Sequence, residues 1–139
     1  MESRFGIPGP QFDDYLMFER RKSWWLLRNS FHVQRAFTYK VFAFGIKAFQ
    51  RVGRFIKPTT RIIQIFGAQA VKAVVTVSVE ELPFLWEGKG FRLKEDLEDG
   101  YVILTVNGRI LGLGLSIQGW VRPQIRKGHL GFHRFSTIP

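Results

Sequence analysis

Hydrophobic residues in the second half of the chain fall into short runs that turn-forming residues separate. Residues 73–77 form a compact run of mostly β-branched side chains. Residues 101–106 form another, Asn107 and Gly108 follow it, and residues 109–117 return as a third run. Asn-Gly between two apolar runs is typical of a type I′ turn. The pattern therefore predicts a strand, followed later in the chain by a β-hairpin.

A short helix is predicted between that strand and the hairpin. Ser78 and Glu81 have the spacing of a capping box, in which each side chain accepts a hydrogen bond from the other residue's backbone N–H. Pro83 in the early turns favours 3₁₀ geometry. The helix would direct three apolar side chains inward, namely Leu82, Leu85 and Trp86. Together with a closing strand at residues 130–135, this order predicts a small mixed barrel with one helix at its end.

The first half of the chain has a less regular pattern. Residues 11–18 show helical spacing after Pro10 and predict a short helix. Residues 23–27 read as a buried strand. Residues 57–60 contain a proline and predict a turn, after which the β-branched run at 61–66 is expected to return as the second strand of a hairpin.

Residues 37–56 are compatible with two interpretations. A basic amphipathic helix would place four cations on one face, namely Lys40, Lys47, Arg51 and Arg54. Apolar side chains in the same segment also alternate with period two, which indicates strands. Gly45 and Gly53 each destabilise a helix by about 1 kcal/mol. We therefore favour strands.

The charge of the chain is segregated. The 139 residues carry a formal net charge of +10, of which +9 falls on residues 1–72, with 13 basic and 4 acidic side chains. Residues 73–139 hold 8 basic and 7 acidic side chains. Between Arg20 and Val79 there are 12 basic residues and no acidic one, so the excess cannot be neutralised within the segment. We expect a polyanionic partner, either nucleic acid or an anionic lipid surface.

Composition narrows the classes of protein further. The chain has no cysteine, which excludes disulfides and thiol nucleophiles and fits the reducing cytoplasm. With 45% hydrophobic and 15% aromatic residues it is too apolar to stay unfolded. No secretory signal is expected at the N-terminus. The longest apolar stretch, residues 37–49, is interrupted by two lysines and is too short to span a bilayer, so no membrane span is expected.

No residue set predicts catalysis, a metal or a cofactor. His129 and His133 are four apart, but glycines at 128 and 131 oppose a helix there, and no further ligand is nearby. The seven acids between residues 80 and 99 lack a paired base and read as a solvated face. The glycines at 108, 112 and 114 fall inside the predicted hairpin rather than before a helix, so we expect them to allow close backbone approach instead of holding phosphate.

Basic side chains next to aromatic residues and glycines remain as candidate binding residues. In the second half Trp120 offers a face on which an unstacked base could lie. In the alternative interpretation Trp120 only caps the barrel. The phosphates would be bound by Arg122, Arg126 and Lys127. In the first half a further set flanks the predicted hairpin and would extend the electrostatic track, namely Arg51, Arg54, Lys57 and Arg61.

Several of these segments resemble a known family. They are residues 53–57 (GRFIK), 61–65 (RIIQI), Ala70, 100–104 (GYVIL), 108–114 (GRILGLG) and 121–127 (VRPQIRK). They are similar to ribosome-assembly factors of archaea and eukaryotes made of a pre-PUA domain followed by a PUA domain. They also resemble the PUA-like tail of the NOL/NOP/Sun rRNA cytosine methyltransferases. The match spans roughly residues 47–135, and residues 1–46 match poorly.

The resemblance implies an α+β protein with two lobes. Residues 1–72 would form a small basic α/β pre-PUA-like lobe, and residues 73–139 a PUA-like β pseudobarrel that binds RNA through basic residues, among them Arg109 of the glycine motif. Ribosomal RNA or a ribosomal subunit is the implied partner, with ribosomal proteins or assembly factors beside it. No methyltransferase motif or catalytic cysteine is present, so we expect no methylation by this chain.

Three other functions fit the same sequence. A permanent ribosomal protein would have the same basic and compact composition. An accessory subunit that presents RNA to a modifying enzyme would need the same binding residues. A membrane-surface protein would use the basic helix that is the second interpretation of residues 37–56.

Overall fold

A computed structural model of the chain describes residues 1–36 and 45–125. The chain divides into two compact units, Met1–Lys72 and Ala73–Pro139. Each unit contains one β-sheet and short helices. The protein is therefore of the α+β class, as predicted.

The first unit is built on a four-stranded antiparallel sheet in which the strands follow their order in the chain. They are β1 (Tyr15–Arg20), β2 (Ser23–Arg28), β3 (Ile46–Val52) and β4 (Phe55–Pro58). Three short helices precede or join them, namely α1 (Glu2–Phe5), a 3₁₀ helix (Gly9–Phe12) and α2 (Phe31–Ala36). The strand predicted at 23–27 is confirmed. The helix predicted at 11–18 is wrong for residues 15–18, which pair with residues 25–28 of β2, and residues 11–12 end the 3₁₀ helix.

Both hairpins of this sheet have two-residue turns. Arg21 and Lys22 join β1 to β2 with φ angles of 50° and 58°, the left-handed geometry of a type I′ turn. Gly53 and Arg54 join β3 to β4, and Gly53 has a φ of 58°. The strand interpretation of residues 37–56 is thus correct for residues 46–56, and residues 37–44 lie outside the described residues.

A helix follows β4 where a strand was predicted. Residues 61–66 belong to α3 (Thr60–Phe66). Its N-cap is Thr59, whose side chain accepts a hydrogen bond from the Ile62 backbone N–H at 3.3 Å. The buried residues of α3 are Ile62, Ile63 and Phe66, whose spacing makes one helix face. The N-cap and this buried face outweigh the β preference of the isoleucines.

The second unit contains a five-stranded sheet in the order β5-β7-β8-β9-β6. Its strands are β5 (Val74–Thr76), β6 (Phe91–Arg92), β7 (Gly100–Val106), β8 (Arg109–Ile117) and β9 (Trp120–Pro123). β5 is parallel to β7, and all other neighbours are antiparallel. The predicted strand at 73–77 and the predicted hairpin are confirmed, whereas β6 and β9 were not anticipated and the closing strand predicted at 130–135 lies outside the described residues.

Local signals in this unit formed as the sequence predicted. Asn107 and Gly108 have φ angles of 48° and 73°, as a type I′ turn requires. The capping box is present, with the Ser78 N–H donating to Glu81 Oε2 at 2.8 Å. The helix that follows, α4 (Leu82–Trp86), buries Leu85.

Gly114 allows the sheet of the second unit to pack closely, as expected, whereas a Cβ at Gly108 would meet nothing within 4 Å. A Cβ at Gly114 would lie 2.7 Å from Val121 Cγ1 and 3.2 Å from Val102 Cγ2. Both valines are fully buried, so neither can move aside easily. The absence of a side chain at Gly114 therefore lets the two valines cover β8.

Candidate nucleic-acid interface

The two hairpin turns of the first unit lie at the same end of its sheet. β1 ends at Arg20 and β3 ends at Val52, and the antiparallel pairing of Ser23 with Gln50 places both ends side by side. Basic side chains occupy these positions, namely Arg20, Arg21, Lys22, Arg51 and Arg54, and we call this set the basic end. All five are exposed.

A backbone hydrogen bond ties the two turns together. The Arg51 N–H donates to the Lys22 carbonyl oxygen at 2.9 Å. Because neighbouring strands are about 4.8 Å apart, the centres of the two turns are separated by roughly 10 Å. The five cations therefore share one compact surface rather than two separate loops.

Aromatic rings lie beneath two of these cations. The guanidinium carbon of Arg51 is 5.9 Å from the centroid of the Trp24 ring, and that of Arg54 is 4.8 Å from the centroid of Phe55. A guanidinium that stacks on a ring still presents N–H groups around its edge, which suit phosphate oxygens. The rings therefore orient the cations without neutralising them.

Acidic residues of the first unit are few and mostly distant from the basic end. Asp13 and Asp14 precede β1, whereas Arg20 ends it, so a six-residue strand of roughly 20 Å separates them. Glu19 is the acid within β1. The local charge is strongly positive, as the charge distribution of the sequence predicts.

The structure divides the basic residues predicted in this unit. Arg51 and Arg54 belong to the basic end, but Lys57 pairs with Gln50 and lies on the opposite face of the sheet from Arg51. Arg61 is exposed on α3, beyond the other end of β4. The predicted electrostatic track is therefore not continuous. Arg20, Arg21 and Lys22, which the charge pattern alone does not mark as a site, complete the basic end instead.

The second unit carries a different surface around Trp120. Trp120 and Arg122 alternate with buried residues along β9 and lie on one face. Cross-strand partners of Trp120 on that face are Arg92 of β6 and Ile117 of β8. We call these four residues the indole patch. Trp120 is 50% exposed, which fits a binding face better than a barrel cap.

Arg109, which was also predicted to bind RNA, is not part of this patch. Arg109 begins β8, whereas Ile117, the partner of Trp120, ends it, so the nine-residue strand separates them by roughly 26 Å. Arg126 and Lys127 lie outside the described residues, as do His129 and His133.

Several acids of residues 80–99 have structural roles. Glu81 completes the capping box, and Glu87 Oε2 lies 2.9 Å from Lys89 Nζ. Asp99 Oδ1 accepts a hydrogen bond from the Gln118 N–H at 2.6 Å. Within residues 1–36 and 45–125, no three histidine, cysteine or acidic side chains are grouped as a metal site would need. None of the helices in those ranges is long and apolar enough to cross a membrane.

An apolar cavity of about 310 Å³ opens to the surface of the first unit. Four residues of the sheet line it, namely Tyr15, Met17, Leu26 and Phe49. Its described lining includes Glu2 and no lysine or arginine. The cavity is therefore unsuited to a polyanion, and the surface sites are the better candidates.

Comparisons with known proteins add no family to this picture: no family model matches the sequence, and no curated protein matches it.

Proposed function

We propose that the protein binds structured ribosomal RNA and catalyses no reaction, acting in ribosome assembly or rRNA modification. The observation that carries the proposal is the basic end, where two hairpin turns gather five exposed cations with one acid, Glu19, in the adjoining strand. Lys and Arg side chains at such a density bind the phosphate backbone and release its counterions. Binding of this kind reads the shape of RNA more than its sequence.

The proposal extends to the fold family of the second unit. Its order of strand, helix, strand and hairpin, together with the glycine-rich β8, supports a PUA-like pseudobarrel, and the first unit would then be the pre-PUA-like lobe. RNA binding through Arg122 and its neighbours is what the resemblance implies for such a lobe. Cytoplasmic location and partners among ribosomal proteins or assembly factors belong to the same proposal.

The structure favours nucleic acid over a lipid surface as the polyanion. The membrane alternative needs a basic amphipathic helix at residues 37–56, and residues 46–56 are two strands and their turn. The cations at the basic end lie on two turns of a sheet and on the strand residues beside them, with rings beneath Arg51 and Arg54. Turns of this kind project charge toward a phosphate backbone but offer no apolar helix face to insert among acyl chains.

The salt dependence of RNA affinity tests the proposal. We expect the affinity for a structured rRNA fragment to fall steeply with salt, and replacing Arg51 and Arg54 by Gln to reduce the slope of log affinity against log salt by roughly 1 to 2. The matched control is Lys89→Gln with Lys94→Gln, which removes the same charge from the acidic segment of the second unit and should leave the slope unchanged. A parent slope near zero, or equal losses in both double variants, contradicts the proposal.

Three assignments share this binding site and need separate measurements. An assembly factor should leave mature ribosomal subunits after a high-salt wash, whereas a permanent ribosomal protein should stay with them. An accessory subunit of an RNA-modifying enzyme should instead be recovered with that enzyme in a pull-down.

A further inference from the structure

We infer that Trp120 is a stacking platform for one unpaired nucleobase of RNA, with Arg92 and Arg122 binding the phosphates on either side of that base. The inference rests on the proposed function and names the RNA element that the second unit recognises. Its starting point is the exposure of the indole, half of whose surface is open to solvent although β9 is flanked by β8 and β6. Burial of a tryptophan is strongly favourable, so an exposed one on a rigid strand is available to a partner ring.

The indole is held in place from below. A Cβ on Gly90 would collide with Trp120 Nε1 and lie 2.8 Å from its Cε2, so the ring lies directly against the Gly90 backbone. Any side chain at position 90 would displace the ring. Gly90 therefore supports the indole ring on one side, and the rest of the ring remains available for stacking.

The turn that leads into Trp120 is fixed as well. Gln118 and Gly119 have φ angles of 50° and 77° and join β8 to β9. The Asp99 carboxylate accepts the Gln118 N–H at 2.6 Å, and the Gly119 carbonyl accepts the Leu93 N–H at 2.8 Å. These contacts from both sides make the platform rigid before any ligand arrives, which reduces the entropy lost on binding.

Two cations flank the indole on the same face. Arg92 is its direct partner across the β6–β9 pair, at about 5 Å between strands, and Arg122 is two residues along β9, at roughly 6.6 Å. Both side chains are exposed. A base stacked on Trp120 would have its flanking phosphates within reach of these guanidinium groups, which combines stacking with charge as single-strand-binding proteins do.

The second unit has another exposed aromatic ring, Phe84, whose surroundings suit phosphate less well than those of Trp120. Phe84 is 55% exposed and has Lys89 Nζ 5.5 Å from its centroid. However, Lys89 is paired with Glu87, and Glu80 and Glu81 precede the helix that carries Phe84. Phosphates would be repelled there. Phe84 is thus a matched control, an exposed aromatic residue next to a cation in acidic surroundings.

An unpaired base is the expected occupant because paired bases are covered by their neighbours in the stack. In an A-form helix the base faces are inaccessible to a side chain on a sheet, and the protein contacts phosphates and 2′-hydroxyls. Only loops, bulges and ends expose a face for Trp120. The platform therefore adds a preference for single-stranded elements to the charge-driven binding of the basic end.

The test compares an unstructured RNA of about eight nucleotides, within the usual site size of one such surface, with a blunt duplex RNA. Trp120→Ala should lower affinity for the single strand by about 5- to 100-fold and leave duplex affinity unchanged. Trp120→Phe should retain most of the affinity, and Gly90→Ala, which displaces the ring, should lose it as Trp120→Ala does. Phe84→Ala should bind both RNAs as the parent does. Circular dichroism of each variant checks that the fold is retained.

The outcomes separate this inference from the proposed function. If the parent binds both RNAs but Trp120→Ala binds the single strand equally well, the platform is absent and the proposed function stands. Equal losses for single strand and duplex would assign Trp120 a structural role and overturn the inference. If the parent binds neither RNA, the proposed function and the platform fail together.

Discussion

The backbone N–H of Arg51 donates a hydrogen bond to the carbonyl oxygen of Lys22 at 2.9 Å, and this contact joins two hairpins that are far apart in sequence. Lys22 is in the β1–β2 turn, and Arg51 is near the end of β3. Like charges so close repel each other, and neither residue can move away without breaking the sheet. This geometry holds positive charge in place for a polyanion.

A change in the β1–β2 turn is expected to raise the stability of the protein and to lower its affinity for RNA. Arg21 and Lys22 adopt left-handed φ angles that cost roughly 1 kcal/mol or more per non-glycine residue. We expect Arg21→Asn with Lys22→Gly, the preferred pair for this turn, to raise the free energy of unfolding by about 1 kcal/mol. The same change should weaken RNA binding, because it removes two cations. Urea unfolding and RNA titration measure the two effects.

The opposite signs of these effects make the result specific. A variant that binds less RNA because it is partly unfolded cannot also be more stable. Lys89→Gln with Lys94→Gln is again the charge-matched control. If the Arg21→Asn, Lys22→Gly variant is more stable and binds RNA as tightly as the parent does, the β1–β2 turn is not part of the RNA interface.

Thr59 connects the start of α3 to the sheet. Its hydroxyl donates to the Lys47 carbonyl oxygen at 2.7 Å and accepts the Ile62 N–H at 3.3 Å. Thr59→Ala should lower the free energy of unfolding by about 1 to 2 kcal/mol, because both hydrogen bonds are lost. Thr59→Ser keeps the hydroxyl and should lose much less. Equal losses in the two variants would show that the methyl group, and not the cap, is what matters.

Two neighbouring positions of β8 should respond in opposite ways to alanine. Ser116 is fully buried, and its Oγ has no hydrogen-bond partner among the described residues. Ser116→Ala should therefore leave stability unchanged or raise it by up to about 1 kcal/mol. Gly114→Ala should lower it by about 1 to 3 kcal/mol, because the new Cβ would overlap Val121. Thermal unfolding of both variants checks the contrast.

Burial of Tyr101 makes stability depend on pH in the alkaline range. Desolvation raises the pKa of Tyr101 above its ordinary value of 10.0. The unfolded chain therefore releases the phenol proton at a lower pH than the folded protein does. The contribution of Tyr101 to stability is complete below pH 10 and decreases as the pH rises through the folded pKa. Tyr101→Phe should flatten this decrease in urea unfolding at alkaline pH, and an unchanged pH profile would contradict it.

Elements with strong local signals were predicted well. The β7–β8 hairpin follows from Asn107 and Gly108 between two apolar runs, and the capping box from Ser78 and Glu81, because residues a few positions apart decide such structures. The strand predicted at residues 61–66 is wrong because local signals do not decide the structure of this segment. Its isoleucines suit a strand or a buried helix face equally, and packing against the sheet through Phe66, whose ring is 5.5 Å from that of Tyr15, favours the helix.

By itself the sequence determined the α+β class and the excess of positive charge in residues 1–72. Tertiary structure alone decided which cations share a surface, because only the pairing of β2 with β3 brings Arg20 and Arg54 to the same end of the sheet. Trp120 was recognisable as a candidate, but its partners Arg92 and Gly90 are about thirty residues away and reach it through the β6–β9 pair. Composition and turn chemistry act locally, whereas a site depends on contacts between distant segments, whose register is set by the packing of the whole sheet.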